Sequence, residues 1–110
     1  MKLITLFILS PFLLLSQTQI GNDINGIATG DNAGSVISVS EDGSIVAIGS
    51  PGNDVAGTDA GQVRVFENIS GFWTQIGDAI NGEAAGDNFG ASLSLSSDGS
   101  ILAIGAPLSD

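Results

Sequence analysis

Apolar and polar positions alternate with a period of two along most of this chain, and beyond residue 16 no stretch sustains the 3.6-residue period of a helix. A terminal strand is expected over 18–24. Residues 35–40 (SVISVS) place Ile37 and Val39 on one face of a strand. The Asp-Gly turn at Glu41-Asp42-Gly43-Ser44 then predicts a hairpin. Its second strand, residues 45–49 (IVAIG), is apolar on both faces, as in a strand covered from both sides. Ala47 and Gly49 share one of those faces and are small enough for another sheet to approach closely. A loop over 51–61, rich in Gly, Asn and Asp, precedes a third strand at 62–67 (QVRVFE), with Val63 and Val65 pointing one way and Arg64 and Phe66 the other. A turn at 68–71 leads to a fourth strand over 72–80 carrying Trp73 and Ile76, and residues 82–90 cross over to the next hairpin. The pattern predicts an all-β protein.

The same pattern then occurs a second time. Residues 18–51 and 74–107 align without a gap at an offset of 56, with 22 of 34 positions identical and most others swapped like for like, as Ile37 with Leu93 and Val46 with Leu102. Such self-similarity marks stacked units rather than one irregular core. The first full repeat runs over about 18–73 and a second, partial one over about 74–110. Four antiparallel strands per unit suit a β-propeller blade. A period of 56 is slightly above the roughly 40 to 50 residues of known blade repeats, and the loop after Pro51 accounts for the excess. A right-handed β-helix competes less well, because its rungs are shorter and lack an Asp-Gly hairpin.

Residues 1–16 differ chemically from the rest. Lys2 precedes an apolar run over 3–15, and Ser16 is followed by Gln17. This layout predicts a signal peptide cleaved between Ser16 and Gln17, with the exported domain over 17–110. The run of 13 residues is short of the roughly 20 that span a bilayer. No membrane span is therefore expected once the signal is removed, and the expected location is secreted or cell-surface. Residues 17–110 carry twelve acidic side chains against one base, Arg64, a net charge of −11. That surface repels phosphate backbones, so nucleic acid is not an expected partner. The acids are scattered, as on a solvated face. With no cysteine and no histidine, there are no disulfides, no N-terminal acyl-cysteine anchor, and neither the commonest general base nor the commonest transition-metal ligand.

The repeat carries motifs in a fixed order. Phe89-Gly90 and Gly105-Ala106-Pro107 flank the second hairpin, with Ala33-Gly34 and Gly49-Ser50-Pro51 as weaker counterparts in the first. Ser-x-Asp-Gly recurs at 40–43 and 96–99 (Asp42-Gly43, Asp98-Gly99), with Gly-Gln-Val-Arg-Val-Phe at 61–66 and Gly-Phe-Trp at 71–73. This set resembles the FG-GAP repeat of exported bacterial proteins, related to the integrin α-subunit head, and the resemblance covers essentially all of 18–110. It implies a propeller of about seven blades, extracellular, serving recognition or adhesion, with the named motif residues and Trp73 in structural roles. The expected partner is a protein or glycan ligand at the cell surface. Many such repeats hold Ca²⁺ in a D-x-D-x-D-G-like loop, and the loop motif is not matched here. Calcium takes 6–8 oxygens, whereas each hairpin turn here repeats one acid, Asp42 or Asp98, with Glu41 absent from the second copy. No cofactor is therefore expected, and Asn53-Asp54…Asp59 has carboxylates without a ligand spacing.

Other residues weigh towards structure. Asp31 and Asp87 sit in repeated Gly-Asp-Asn triplets, and their recurrence suits a turn-forming role better than a catalytic pair. Phe72 and Trp73 could stack on a sugar, but a Trp at a fixed place in a blade suits packing between blades. Arg64, the sole base of the domain, is expected among nearby acids. Asn68-Ile69-Ser70 matches an N-glycosylation acceptor. No nucleophile elbow or phosphate loop is present, so the chain reads as non-catalytic. The alternative is the propeller scaffold of an extracellular glycan hydrolase or lyase with its active site outside these residues. Under two blades are present, where a closed ring at this period needs roughly 340 to 390 residues. The expectation is an N-terminal piece of a larger protein, its edge strands completed by further blades or by other copies.

Overall fold

Seven strands and no helix make up the regular structure of residues 19–108, the part described by the computed structural model. The segment read as a signal peptide lies outside the described residues, and within them no helix is long and apolar enough to cross a membrane. Strands β1 (Val36–Val39), β2 (Ile45–Ser50), β3 (Gln62–Ile69) and β4 (Phe72–Gln75) form one antiparallel sheet in that order, and β5 (Ile80–Asn81) also pairs with β3. Strands β6 (Ser92–Leu95) and β7 (Leu102–Gly105) form a second sheet. Its register copies the first hairpin: Ser92 faces Gly105 as Val36 faces Gly49, and Leu95 faces Leu102 as Val39 faces Val46.

Three elements differ from the sequence expectation. The third strand runs on to Ile69, and the turn shrinks to Ser70-Gly71, both at positive φ (53° and 90°). That mirror-image two-residue turn matches the twist of the strands it joins. The fourth strand is broken. Ile76 N–H still donates to the Val65 carbonyl at 2.7 Å, but pairing resumes only at Ile80 with Val63, so Gly77, Asp78 and Ala79 all stand opposite Arg64. The surplus residues form a bulge that divides β4 from β5. The expected terminal strand at 18–24 does not form over its described part, residues 19–24. The Gln19 side chain bends back onto the Gly21 carbonyl (2.9 Å) and Asp23 (2.8 Å), and Trp73 holds the segment by two hydrogen bonds. Its backbone N–H donates to Asn22 Oδ1 (2.7 Å) and its indole Nε1–H to the Ile20 carbonyl (2.9 Å).

Alternation gives the first sheet two faces. One carries Val46, Ile48 and Phe66, with Ile24 and Trp73 packed on them. The other carries Ala47 and Val63, both fully buried, and Gly49. The second hairpin lies on this face. A Cβ on Gly49 would stand 2.3 Å from the Gly90 carbonyl oxygen, so only glycine permits the approach. Leu95 N–H donates to Ser38 Oγ (3.0 Å) and Glu41 N–H to the Ser97 carbonyl (2.8 Å), which fixes the hairpin's position. Burying a Val side chain such as Val63 here is worth about 2 kcal/mol.

Candidate functional site: a rim cleft between the two repeats

The crossover loops that precede β1 and β6 are built alike. In each, a turn closes on the aspartate: Asp31 N–H donates to the Ala28 carbonyl (3.3 Å), and Asp87 N–H to the Ala84 carbonyl (3.2 Å). The next residues, Asn32 and Asn88, take left-handed backbone angles (φ 59° and 54°), which Asn adopts more readily than most side chains. A second turn runs from Ser35 N–H to the Asn32 carbonyl (3.1 Å) and from Ala91 N–H to the Asn88 carbonyl (3.0 Å). Both aspartates are buried, and their carboxylates serve the loops. Asp87 accepts from Ala84 N–H at 3.1 Å, and Asp31 accepts from the Asn53 side-chain amide at 2.9 Å.

The long loop over 51–61 is tied to this framework. Asn53 is only 1% exposed, and its Oδ1 accepts from Val55 N–H while its amide holds Asp31. Asp54 Oδ1 accepts from Asp59 N–H (2.9 Å). Three backbone bonds then zip the loop to the second crossover: Gly86 N–H to the Thr58 carbonyl (2.8 Å), Asn88 N–H to Asp59 (3.0 Å) and Phe89 N–H to Ala60 (2.9 Å). At Gly61 the two backbones meet in a parallel bridge with Phe89, where a Cβ would fall 2.1 Å from the Phe89 carbonyl oxygen.

Between these loops lies a cleft of about 460 Å³, lined by Asn32, Pro51, Gly52, Asp59, Asn88, Ala91, Pro107 and Leu108. Asn32 with Asn88 and Pro51 with Pro107 are equivalent positions of the two repeats. The cleft thus presents two amides and a carboxylate beside the apolar side chains of Pro51, Pro107 and Leu108. Such a lining can hydrogen-bond a polar ligand and cover an apolar patch on it.

The remaining motif residues sit elsewhere. Gly90 N–H donates to the Gly105 carbonyl (3.0 Å), as Gly34 does to Gly49 (3.2 Å), so the Phe89-Gly90 and Gly105-Ala106-Pro107 motifs are spatial neighbours across one hairpin. At the hairpin tips Asp42 Oδ1 accepts from the Ser44 hydroxyl (2.7 Å), Ser44 N–H (3.0 Å) and the Ser40 hydroxyl (3.0 Å). Asp98 repeats this with Ser100 N–H (3.0 Å) and the Ser100 and Ser96 hydroxyls (2.7 and 2.8 Å). These bonds favour the charged form. The Ser44 hydroxyl first, then its N–H and the Ser40 hydroxyl, hold Asp42 below its ordinary 3.8, and the Ser100 N–H, then the two hydroxyls, bring Asp98 down to about 2. Among the described residues no three acidic side chains come together as a metal-binding group.

Among the described residues Arg64 is held by an aromatic ring and a carbonyl rather than by acids. It is buried in β3, its guanidinium 5.3 Å above the centre of the Phe66 ring and its Nη2–H on the Asn25 carbonyl (3.0 Å). Strand alternation, which placed Arg64 beside Phe66, already carried that signal. Trp73 is half-buried against the core of its own sheet and the N-terminal segment, whereas Phe72, at the end of the hairpin, is exposed. In the Asn68 sequon, Oδ1 accepts from Gly71 N–H (3.0 Å) and the nitrogen that would carry a glycan is buried. Sequence reasoning missed the buried pair Asn53–Asp31 and the bond from buried Gln62 to exposed Asn81 (2.9 Å each), because a polar side chain in a loop or at a strand end has no periodicity to betray burial. Comparison with protein-family models, with curated proteins and with solved structures finds no match.

Proposed function

We propose that this chain is an exported, non-catalytic recognition module built of FG-GAP-type repeats in propeller-blade form, taking a glycan or protein ligand at the rim cleft. The observation that carries the reading is the cleft itself. It lies between equivalent loops of two repeats, and its amides and carboxylate are set in a frame closed by backbone hydrogen bonds. The loop backbones that carry these side chains are held in place in advance, which lowers the entropy lost on binding. The amides of Asn32 and Asn88 and the carboxylate of Asp59 suit hydroxyl groups, and the prolines suit the C–H face of a sugar ring. The acidity of residues 17–110 favours a neutral or basic ligand over an anionic one.

The test is a screen of neutral glycans and basic peptides, followed by titration monitored through backbone amide shifts. Shifts centred on Asn32, Asp59 and Asn88, with Asn88→Ala and Asp59→Ala each weakening binding about tenfold, are the expected result. Binding that ignores both substitutions would sink the reading. Export is checked separately by N-terminal sequencing of the secreted protein, expected to begin at Gln17.

A further inference from the structure

The rim cleft gathers residues whose backbone is left-handed and whose side chains the fold itself does not use. Four non-glycine residues among those described have such a backbone, and three of them, Asn32, Asp59 and Asn88 (φ 59°, 55° and 54°), line this one cleft. The fourth, Ser70, belongs to the turn between β3 and β4. Outliers of this kind gather where a ligand is held. Within the described fold no hydrogen bond engages the side chain of Asn32, Asp59 or Asn88. Their neighbours are all engaged: Asp31 with Asn53, Asp54 with Asp59 N–H, and Asp87 with Ala84 N–H. The cleft opens past the strand ends, among the loops that enter β1, β3 and β6 and those that leave β2 and β7. Repeats stack face to face, as Leu93 of β6 does against Gly49 of β2, so stacking leaves this rim open.

We propose that the cleft holds a neutral oligosaccharide of like units, with consecutive units in two equivalent subsites, one from each repeat. The proposal rests on the reading of the cleft as the recognition site and names its ligand. Six of the eight lining residues are three pairs at the repeat offset of 56: Asn32 and Asn88, Pro51 and Pro107, Gly52 and Leu108. Each subsite thus offers one amide and one proline ring. An amide both donates and accepts, as the hydroxyls of a sugar require, and the proline covers the C–H face of the ring. A lining that repeats selects a ligand that repeats. A homopolymeric glycan does so by construction, whereas a peptide does so only where its own sequence recurs. Among the lining residues Asp59 has no counterpart, and the Asn88 N–H on its carbonyl (3.0 Å) sets it beside the second subsite. The two subsites are therefore unequal, and the ligand is bound in one direction. The Asp59 carboxylate and the net charge of −11 over 17–110 turn away uronic and sulfated chains.

Titration of the purified, isotopically labelled protein, followed through backbone amide shifts, tests this. The probes are neutral oligosaccharides of glucose, mannose and N-acetylglucosamine, each from monosaccharide to tetrasaccharide. In at least one series the disaccharide is expected to bind about tenfold or more tightly than its monosaccharide, since the second unit binds as part of the same molecule. That gain is expected to vanish in Asn32→Gly and in Asn88→Gly. Both substitutions remove the amide and supply a residue that accepts the left-handed angle, so the loops stay closed. Unchanged amide shifts over β1 to β3 check the fold of each variant. A monosaccharide bound at the cleft as tightly as its disaccharide, or a gain that survives either substitution, overturns the proposal. So do shifts at Asn32, Asp59 and Asn88 with basic peptides but with none of the sugars, an outcome that leaves the cleft a recognition site. No shift at those residues with either class defeats both readings.

Discussion

Asp98 shows how one carboxylate can be specified for a turn. Three donors converge on its Oδ1, and its pKa falls to about 2 while the group remains in solvent. A carboxyl whose folded value lies below its ordinary one stabilises the fold above the ordinary value and loses that contribution as the pH falls through the folded value. The window here runs from 3.8 down to about 2. A carboxyl-carbon NMR titration should therefore place the Asp98 midpoint near 2, and acid should loosen the β6–β7 turn within that window; a midpoint at 3.8 would refute the bonding. Arg64 makes a different residue-scale case. Its Nε is buried without a partner while its stem packs in the sheet core. Arg64→Met keeps the stem and removes the buried charge, and it should leave thermal stability unchanged or raised. Arg64→Ala removes the packing as well and should lower stability by about 2 kcal/mol.

At the scale of elements, the strand pairing depends on close backbone approaches that no side chain could survive. Gly61 has φ 90° and meets the Phe89 backbone where a Cβ would stand. Gly61→Ala should cost about 3 kcal/mol in denaturant unfolding, and a change under 1 kcal/mol would show that the crossover does not need the bridge. Phe66 is the aromatic centre of the opposite face, touching the cluster with Val46 and Ile48. Phe66→Ala should cost about 3 to 5 kcal/mol by the same measurement. The broken fourth strand belongs to this scale too. Its apolar positions 76 and 80 gave the sequence an apparently continuous strand, and only the lack of a partner for Gly77, Asp78 and Ala79 reveals the bulge.

For the whole molecule, the two repeats have closely similar sequence and unequal support. Strand β2 is paired on both sides, by β1 and β3, whereas among the described residues its copy β7 pairs only with β6. Amide exchange over residues 19–108 should reflect this: β2 amides should exchange only through global opening, and those of β7, held on one side by β6, through local opening. Equal protection of Ile48 and Ile104 would mean that a further strand pairs with β7 in solution. The same asymmetry separates Ala47, fully buried, from Ala103, exposed, although the residues flanking them nearly coincide.

The sequence by itself determined the all-β class, the hairpins with their Asp-Gly turns, the identity of the two units and the strand buried on both faces. Each of these comes from local chemistry: two-residue alternation, turn geometry and the recurrence of both at a fixed offset. The aspartates of the Gly-Asp-Asn triplets were legible as turn formers for the same reason. Only the tertiary structure decided that Asn53 closes on Asp31, that Arg64 lies on Phe66 beneath the Asn25 carbonyl, and that Trp73 holds Ile20 and Asn22. It also decided where the rim cleft opens. The bonds of Asn53, Arg64 and Trp73 alone join residues as far as 53 positions apart. Which polar group meets which across such distances is settled when the sheets pack, by the space left and the donors unpaired, and no periodicity in the chain encodes it.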